Sequence, residues 1–82
     1  MQHFMTSIPT QHGSFNFYFN LIYTTQGQRY HVSVIGLDRK MVTFRLKKKE
    51  YSWEIENANG CPDWVVGLQG KLSAAVLEFS KG

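Results

Sequence analysis

Four stretches of the chain alternate apolar and polar residues, and this alternation limits the fold more than any other feature of the sequence. The stretches cover residues 15–24, 29–35, 41–48 and 51–56. Because successive side chains of a β-strand point to opposite faces, this pattern is typical of strands that are buried on one face only. The connections between the stretches are short, which predicts an antiparallel sheet with strands in up-and-down order.

The hydrophobic period changes after Pro62. Apolar residues then recur at the three-and-four spacing of one helical face: Trp64, Val65, Leu68, Leu72, Ala75, Val76 and Phe79. Pro62 and Asp63 suit a helix N-terminus, because proline fixes a helical φ and a carboxylate is stabilised by the helix dipole. We predict one helix from Pro62 to about residue 79. Gly67 and Gly70 each weaken it by up to about 1 kcal/mol relative to alanine, which indicates close packing on the sheet.

These patterns together predict an α+β fold, in which a four-stranded antiparallel β-meander is followed by one C-terminal α-helix packed on one face (ββββα). Residues 14–82 form a single domain, because a chain of 82 residues leaves no room for a second core. Residues 1–13 alternate only weakly, so we interpret them as a flexible N-terminal tail. The alternative is an arm that adds a short strand, which Pro9 would confine to a sheet edge.

The turn positions predict which strand residues face each other. Loops at Gln26 and Gly27, at Asp38, and at Lys48 and Lys49 give the pairs Leu21 with Val32, Val32 with Phe44, and Phe44 with Trp53. One helix about 10 Å across covers four strands incompletely, since they span roughly 15 to 20 Å. The N-terminal arm, strong sheet curvature or a second copy of the protein could cover the remainder.

The opposite face of the predicted sheet has a basic end and an apolar end. Tyr18, Ile35 and Met41 form the apolar end, and we predict that they contact a protein partner or a second copy of the chain. Packing of Ile35 and Met41 under the chain termini is an equally favoured interpretation, because single exposed apolar residues are common. Unpaired edge strands offer a second route to a homodimer.

Nucleic-acid binding is the alternative function, suggested by a net charge of +3 and a pI near 9.2. The cations that would contact phosphates are Arg29, Arg45, Lys47, Lys48 and Lys49. Proteins that bind single strands also expose aromatic residues for base stacking, whereas only Tyr18 is suitably placed here. A solvated turn is the favoured explanation of the lysine run. We therefore favour protein binding over nucleic-acid binding.

A Cys61-dependent enzyme is a third and weaker hypothesis. Cys61 precedes Pro62 near a helix start, where the dipole could lower the pKa of its thiol. A catalytic cysteine also needs a base, and His3 or His12 would have to fold back to provide one. Since His3, His12 and His31 show no metal-ligand spacing either, we expect no enzymatic activity, no metal and no cofactor.

The sequence also bears on the cellular setting. A single cysteine cannot form an intramolecular disulfide, which favours a reducing compartment. The N-terminal residues lack the basic and apolar regions of a signal peptide, and no apolar run approaches the roughly 20 residues that span a bilayer. We therefore expect a cytoplasmic protein without a membrane segment, acting as a small, non-catalytic interaction module.

Overall fold

The computed structural model describes residues 3–36 and 38–81, which form one antiparallel sheet followed by helices. The strands are β1 (His3–Thr10), β2 (Gly13–Thr24), β3 (Gly27–Ile35), β4 (Met41–Lys49) and β5 (Ser52–Ile55). Their order across the sheet is their order in the chain. A 3-10 helix at Ala58–Gly60 leads to α1 (Asp63–Val66) and α2 (Gln69–Lys81). The α+β class is confirmed, but the prediction of four strands is wrong, because the sheet has five.

The additional strand is β1. Its residues lie in the segment that the sequence analysis interpreted as a flexible tail or, alternatively, as an arm that adds a strand. It pairs with β2 at the sheet edge, where Pro9 is tolerated. The connecting turn is closed by Thr10, whose hydroxyl donates to the Gly13 carbonyl at 2.7 Å and accepts from the His12 N–H at 3.0 Å. Gly13 has a φ of +109°, a value that favours glycine.

The predicted register between β3 and β4 is confirmed, with Val32 opposite Phe44. The predicted register between β2 and β3 is wrong by two residues, since Leu21 lies opposite Tyr30 rather than Val32. The turn comprises Thr25 and Gln26, and Gly27 follows it with a φ of +116°. Glycine in this position is typical of a hairpin in which a left-handed residue follows the turn.

The register between β4 and β5 also differs from the prediction. Phe44 does not face Trp53, because the strands turn later, at Glu50 and Tyr51, and Lys48 lies opposite Trp53. Glu50 takes the positive φ of +53° that this tight turn requires. Both shifts are even in number, so every side chain keeps its predicted face while changing its neighbours.

The core lies between the sheet and the helices. Its fully buried side chains are Phe17, Phe19, Val32, Val34, Leu46, Val65, Leu72 and Val76. Most of the predicted helical face is therefore buried, although Phe79 is 37% exposed. The helix is divided at Gly67 and Leu68 into α1 and α2. Trp64 on α1 packs against Phe15, with ring centroids 5.2 Å apart.

The sheet curves around α2, which contacts both edge strands, β1 and β5. Five flat strands would separate the two edges by about 19 Å, whereas a helix with its side chains is about 10–12 Å wide. A flat sheet could therefore not bring both edges to one helix. Curvature and β1, two of the three coverings that the sequence left open, together enclose the core face.

Candidate interaction surface

The face of the sheet that points away from the helices, here called the outer face, is organised in cross-strand rows. One row consists of Ile22, Arg29, Lys47 and Glu54, and the next of His3, Asn20, His31 and Arg45. A third row consists of Met5, Tyr18, Ser33 and Thr43, and Ile35 and Met41 face each other beyond it. Charged residues thus occupy one end of the outer face and apolar residues the other.

The apolar end contains four large exposed side chains, Met5, Tyr18, Ile35 and Met41, which we call the apolar patch. Their exposed fractions are 52%, 47%, 48% and 65%. Met5 and Tyr18 are direct cross-strand neighbours, and Ile35 is diagonal to Tyr18 across β3. Diagonal neighbours lie about 7–8 Å apart, within reach of an aromatic side chain. The structure therefore brings together the three predicted residues and adds Met5.

Met5 was not predicted as a contact residue, because the strand that carries it was not assigned from the sequence. The signal that could have revealed it is the turn that precedes β2. The segment from Thr10 to Gly13 has the same pattern, threonine followed three residues later by glycine, as the segment from Thr24 to Gly27. The two threonine hydroxyls make the same hydrogen bonds within their turns. A second hairpin turn at this point predicts a strand before it.

Most charged side chains at the charged end of the outer face form ion pairs with one another. Arg29 Nε donates to Glu56 Oε2 at 3.0 Å, and only 11% of the Arg29 side chain is exposed. Glu54 forms ion pairs with Lys47 and Lys49, with Oε–Nζ distances of 3.5 and 3.6 Å. Three of the five cations proposed to contact nucleic acid are thus paired with carboxylates.

The two remaining cations, Arg45 and Lys48, make no ion pair with the described residues. They differ by an odd number of positions along β4, so their side chains point to opposite faces of the sheet. Arg45 belongs to the outer face, whereas Lys48 lies on the side of Trp53. The structure therefore does not bring the five predicted cations together on one surface.

Both sheet edges are partly occupied by side chains of α2. On β5, the N–H of Trp53 donates to Ser73 Oγ at 2.9 Å, and the N–H of Ile55 donates to Gln69 Oε1 at 3.0 Å. On β1, Lys71 Nζ donates to the carbonyl of Pro9 at 2.9 Å. These contacts occupy edge groups that another chain would otherwise bond. Pairing of two β5 edges is therefore obstructed.

Cys61 lies in the loop before α1, and its thiol donates to the Asn57 carbonyl at 3.6 Å. Burial raises the pKa of this thiol above its ordinary value of 9.0. A nucleophilic cysteine requires the opposite shift. His31 lines the same cavity as Cys61, whereas His12, one of the two bases that the sequence suggested, does not.

Within the described part of the chain, no three His, Cys, Asp or Glu side chains are grouped so that they could hold a metal ion. Among the helices of residues 3–36 and 38–81, none is both long and apolar enough to cross a membrane.

No protein-family model, no curated protein and no solved structure matches the chain.

Proposed function

We propose that this chain is a small, non-catalytic interaction module that self-associates through the outer face of its sheet. The observation that carries the proposal is the apolar patch of Met5, Tyr18, Ile35 and Met41, four large exposed side chains on adjacent strands. Scattered apolar residues are normal on protein surfaces, but a group of this size on one face is typical of a contact surface. Aromatic residues and methionine are also enriched at such interfaces.

A second copy of the chain is the favoured partner because of the charges that surround the patch. The charged end of the outer face contains Arg29, Lys47 and Lys49, together with Glu54 and Glu56, which pair with them and leave a small net positive charge. These ion pairs reduce the repulsion between two copies that approach face to face. A two-fold dimer would place one apolar patch on the other, as an isologous interface requires.

Nucleic-acid binding is the competing proposal, and the same geometry weighs against it. Phosphate binding depends on several cations that act together and release counterions. Of the candidate cations, Arg29, Lys47 and Lys49 are already paired with carboxylates, and Arg45 and Lys48 point to opposite faces. A salt-sensitive increase in the polarisation of a fluorescent single-stranded oligonucleotide would favour this alternative.

The proposal is tested by placing one charge in the apolar patch. The variant Ile35→Glu should convert the dimer into a monomer, because burying an unpaired carboxylate in an apolar interface is costly. The matched control is Tyr51→Glu, which introduces the same charge in the turn between β4 and β5, at a side chain that is 90% exposed. The mass of each variant is measured by sedimentation equilibrium, and circular dichroism checks the fold. Equal masses for the native chain and Ile35→Glu would overturn the proposal.

A further inference from the structure

Part of β4 is an open sheet edge inside the molecule. β5 pairs only with Leu46–Lys49 of β4, and the last hydrogen bond between the two segments is donated by the Glu56 N–H to the Arg45 carbonyl at 2.8 Å. The chain then leaves the sheet. Within the described residues, no strand pairs with Met41 to Thr43 on this side.

The backbone groups of Thr43 point into this open edge. In a strand, the N–H and C=O groups of alternate residues point to the same side. The carbonyl of Arg45 points towards β5, so those of Thr43 and Met41 point in the same direction. On its opposite side, β4 is bonded to β3 through the backbone groups of Phe44 and Val42. The open edge therefore presents donors and acceptors with the spacing of an unfilled strand position.

A groove runs along this edge. One wall is β4, and the other is the segment from Asn57 to Trp64. The groove consists of two adjoining cavities of about 560 and 530 Å³, both of which are lined by Thr43 and Gly60. Cavities of this size accommodate a short peptide segment.

The two sides of the groove differ in chemistry. On the outer face it is lined by Arg45 and His31, together with Glu56, whose charge is compensated by Arg29. Towards the core it is lined by Val42, Pro62 and Trp64. Its far end is lined by Lys40 and Asp38, where the Lys40 backbone N–H donates to Asp38 Oδ1 at 3.1 Å. Arg45 thus supplies a cation without a carboxylate partner among the described residues.

We propose that the groove beside β4 binds an extended peptide of a partner protein, which adds a strand to the open edge and carries acidic and apolar residues in alternation. The peptide backbone bonds to Thr43, one carboxylate reaches Arg45, and the apolar side chains contact Val42 and Trp64. This strand addition uses backbone groups of the β4 edge, and the groove shares only Met41 with the apolar patch.

The test is a fluorescence-polarisation titration of the full chain with a carboxyfluorescein-labelled peptide of alternating valine and glutamate. The reference peptide has lysine in place of each glutamate. We expect saturable binding of the glutamate peptide and at least tenfold weaker binding of the lysine peptide, because charge-assisted hydrogen bonds to Arg45 are lost. The titration is repeated with Ile35→Glu, which should bind equally well even if it is a monomer. Peptide binding by a monomeric Ile35→Glu variant would show that the two proposals fail or hold separately.

Two variants locate the binding site. Thr43→Pro removes an N–H that points away from β3, so it should weaken peptide binding at least tenfold while the sheet persists. If circular dichroism shows that this variant is unfolded, Arg45→Gln decides instead, with an expected loss of about tenfold. Lys48→Gln removes a charge from the same strand and should bind as the native chain does.

Three results would overturn the inference. The first is the absence of saturable binding of the glutamate peptide up to about 1 mM. The second is equal binding of both peptides, or unchanged binding by folded Thr43→Pro and by Arg45→Gln. The third is a decrease in the mass of the chain on Thr43→Pro without any peptide binding, which would assign the edge to contacts between copies.

Discussion

The N–H of Trp53, on the last strand of the sheet, donates a buried hydrogen bond of 2.9 Å to the side-chain oxygen of Ser73 on α2. Edge strands normally leave such groups to water or to another chain. Here the helix satisfies them, and Gln69 does the same for Ile55 one helical turn earlier. The helix therefore fills the core and also protects the β5 edge, whereas the outer face and the open part of β4 are the surfaces that we propose for contacts with other molecules.

Ser73→Ala should destabilise the fold, because it leaves the buried N–H of Trp53 without an acceptor. We expect a loss of about 1–2 kcal/mol, since the cost of an unsatisfied donor is partly offset by the higher helix propensity of alanine. Urea denaturation measures the free energy of unfolding. Ser14→Ala is the control, because the Ser14 side chain is exposed and should change stability by less than about 0.5 kcal/mol. Equal stabilities of the two variants would contradict the proposed role of Ser73.

Phe4→Ala tests whether β1 is an integral part of the core. The Phe4 ring stacks on Phe19, with centroids 4.4 Å apart, and on Phe79, with centroids 4.1 Å apart. Because the side chain is only partly buried, we expect a loss of about 2–3 kcal/mol, at or below the lower end of the range for buried phenylalanines. Tyr23→Ala, at a side chain that is 74% exposed, should cost less than about 0.5 kcal/mol. A flexible N-terminal tail would make both substitutions neutral.

Glu56→Gln and Glu54→Gln compare two ion pairs through the same chemical change. Glu56 lies 3.0 Å from a nearly buried Arg29, whereas Glu54 lies 3.5 and 3.6 Å from the more exposed Lys47 and Lys49. Exposed pairs contribute little, so Glu54→Gln should cost less than about 0.5 kcal/mol. Glu56→Gln should cost about 1–2 kcal/mol, because it leaves the Arg29 charge poorly compensated. Thermal or urea unfolding at two salt concentrations measures both, and a larger loss for Glu54→Gln would contradict the structure.

The pH dependence of Cys61 alkylation follows from the raised pKa of its thiol. Burial favours the protonated form, so the thiolate that reacts with iodoacetamide should appear at higher pH in the folded chain than in urea. The protonated thiol favours the folded state over the unfolded state. This contribution to the free energy of unfolding is fully present below pH 9.0, the ordinary pKa, and is lost as the pH rises through the pKa of the folded chain. The labelling rate is measured from pH 7 to 11 in both states. A midpoint in the folded chain below that in urea would indicate an activated thiol and would revive the enzyme hypothesis.

The parts of the fold that could be predicted are those in which one local pattern decides the outcome. The buried face of the helix follows from its spacing, and the turn at Asp38 places Val32 opposite Phe44 as expected. The two other hairpins were misaligned because alternation does not reveal where a residue with positive φ lies relative to the turn. Gly27 directly follows its turn, whereas Glu50 lies within its turn. Alternation specifies a face, but it does not distinguish registers that differ by an even number of residues.

The remaining features depend on contacts that are distant in sequence. β1 alternates weakly, and its position is decided by Phe4 and Ile8 packing into a core that is completed by α2. The curvature of the sheet likewise depends on the helix reaching both edges. For the outer face, the sequence identified Tyr18, Ile35 and Met41, but Met5 and the open edge of β4 required the strand count and the short length of β5.

The most direct test of the account is the mass of the native chain in solution, measured by light scattering over a range of concentrations at low and high salt. If the apolar patch drives self-association, the mass should approach twice the monomer value of 9.5 kDa and should not fall as salt is raised, because apolar contacts are not screened. A mass of 9.5 kDa at every concentration and both salt levels would contradict self-association through the outer face.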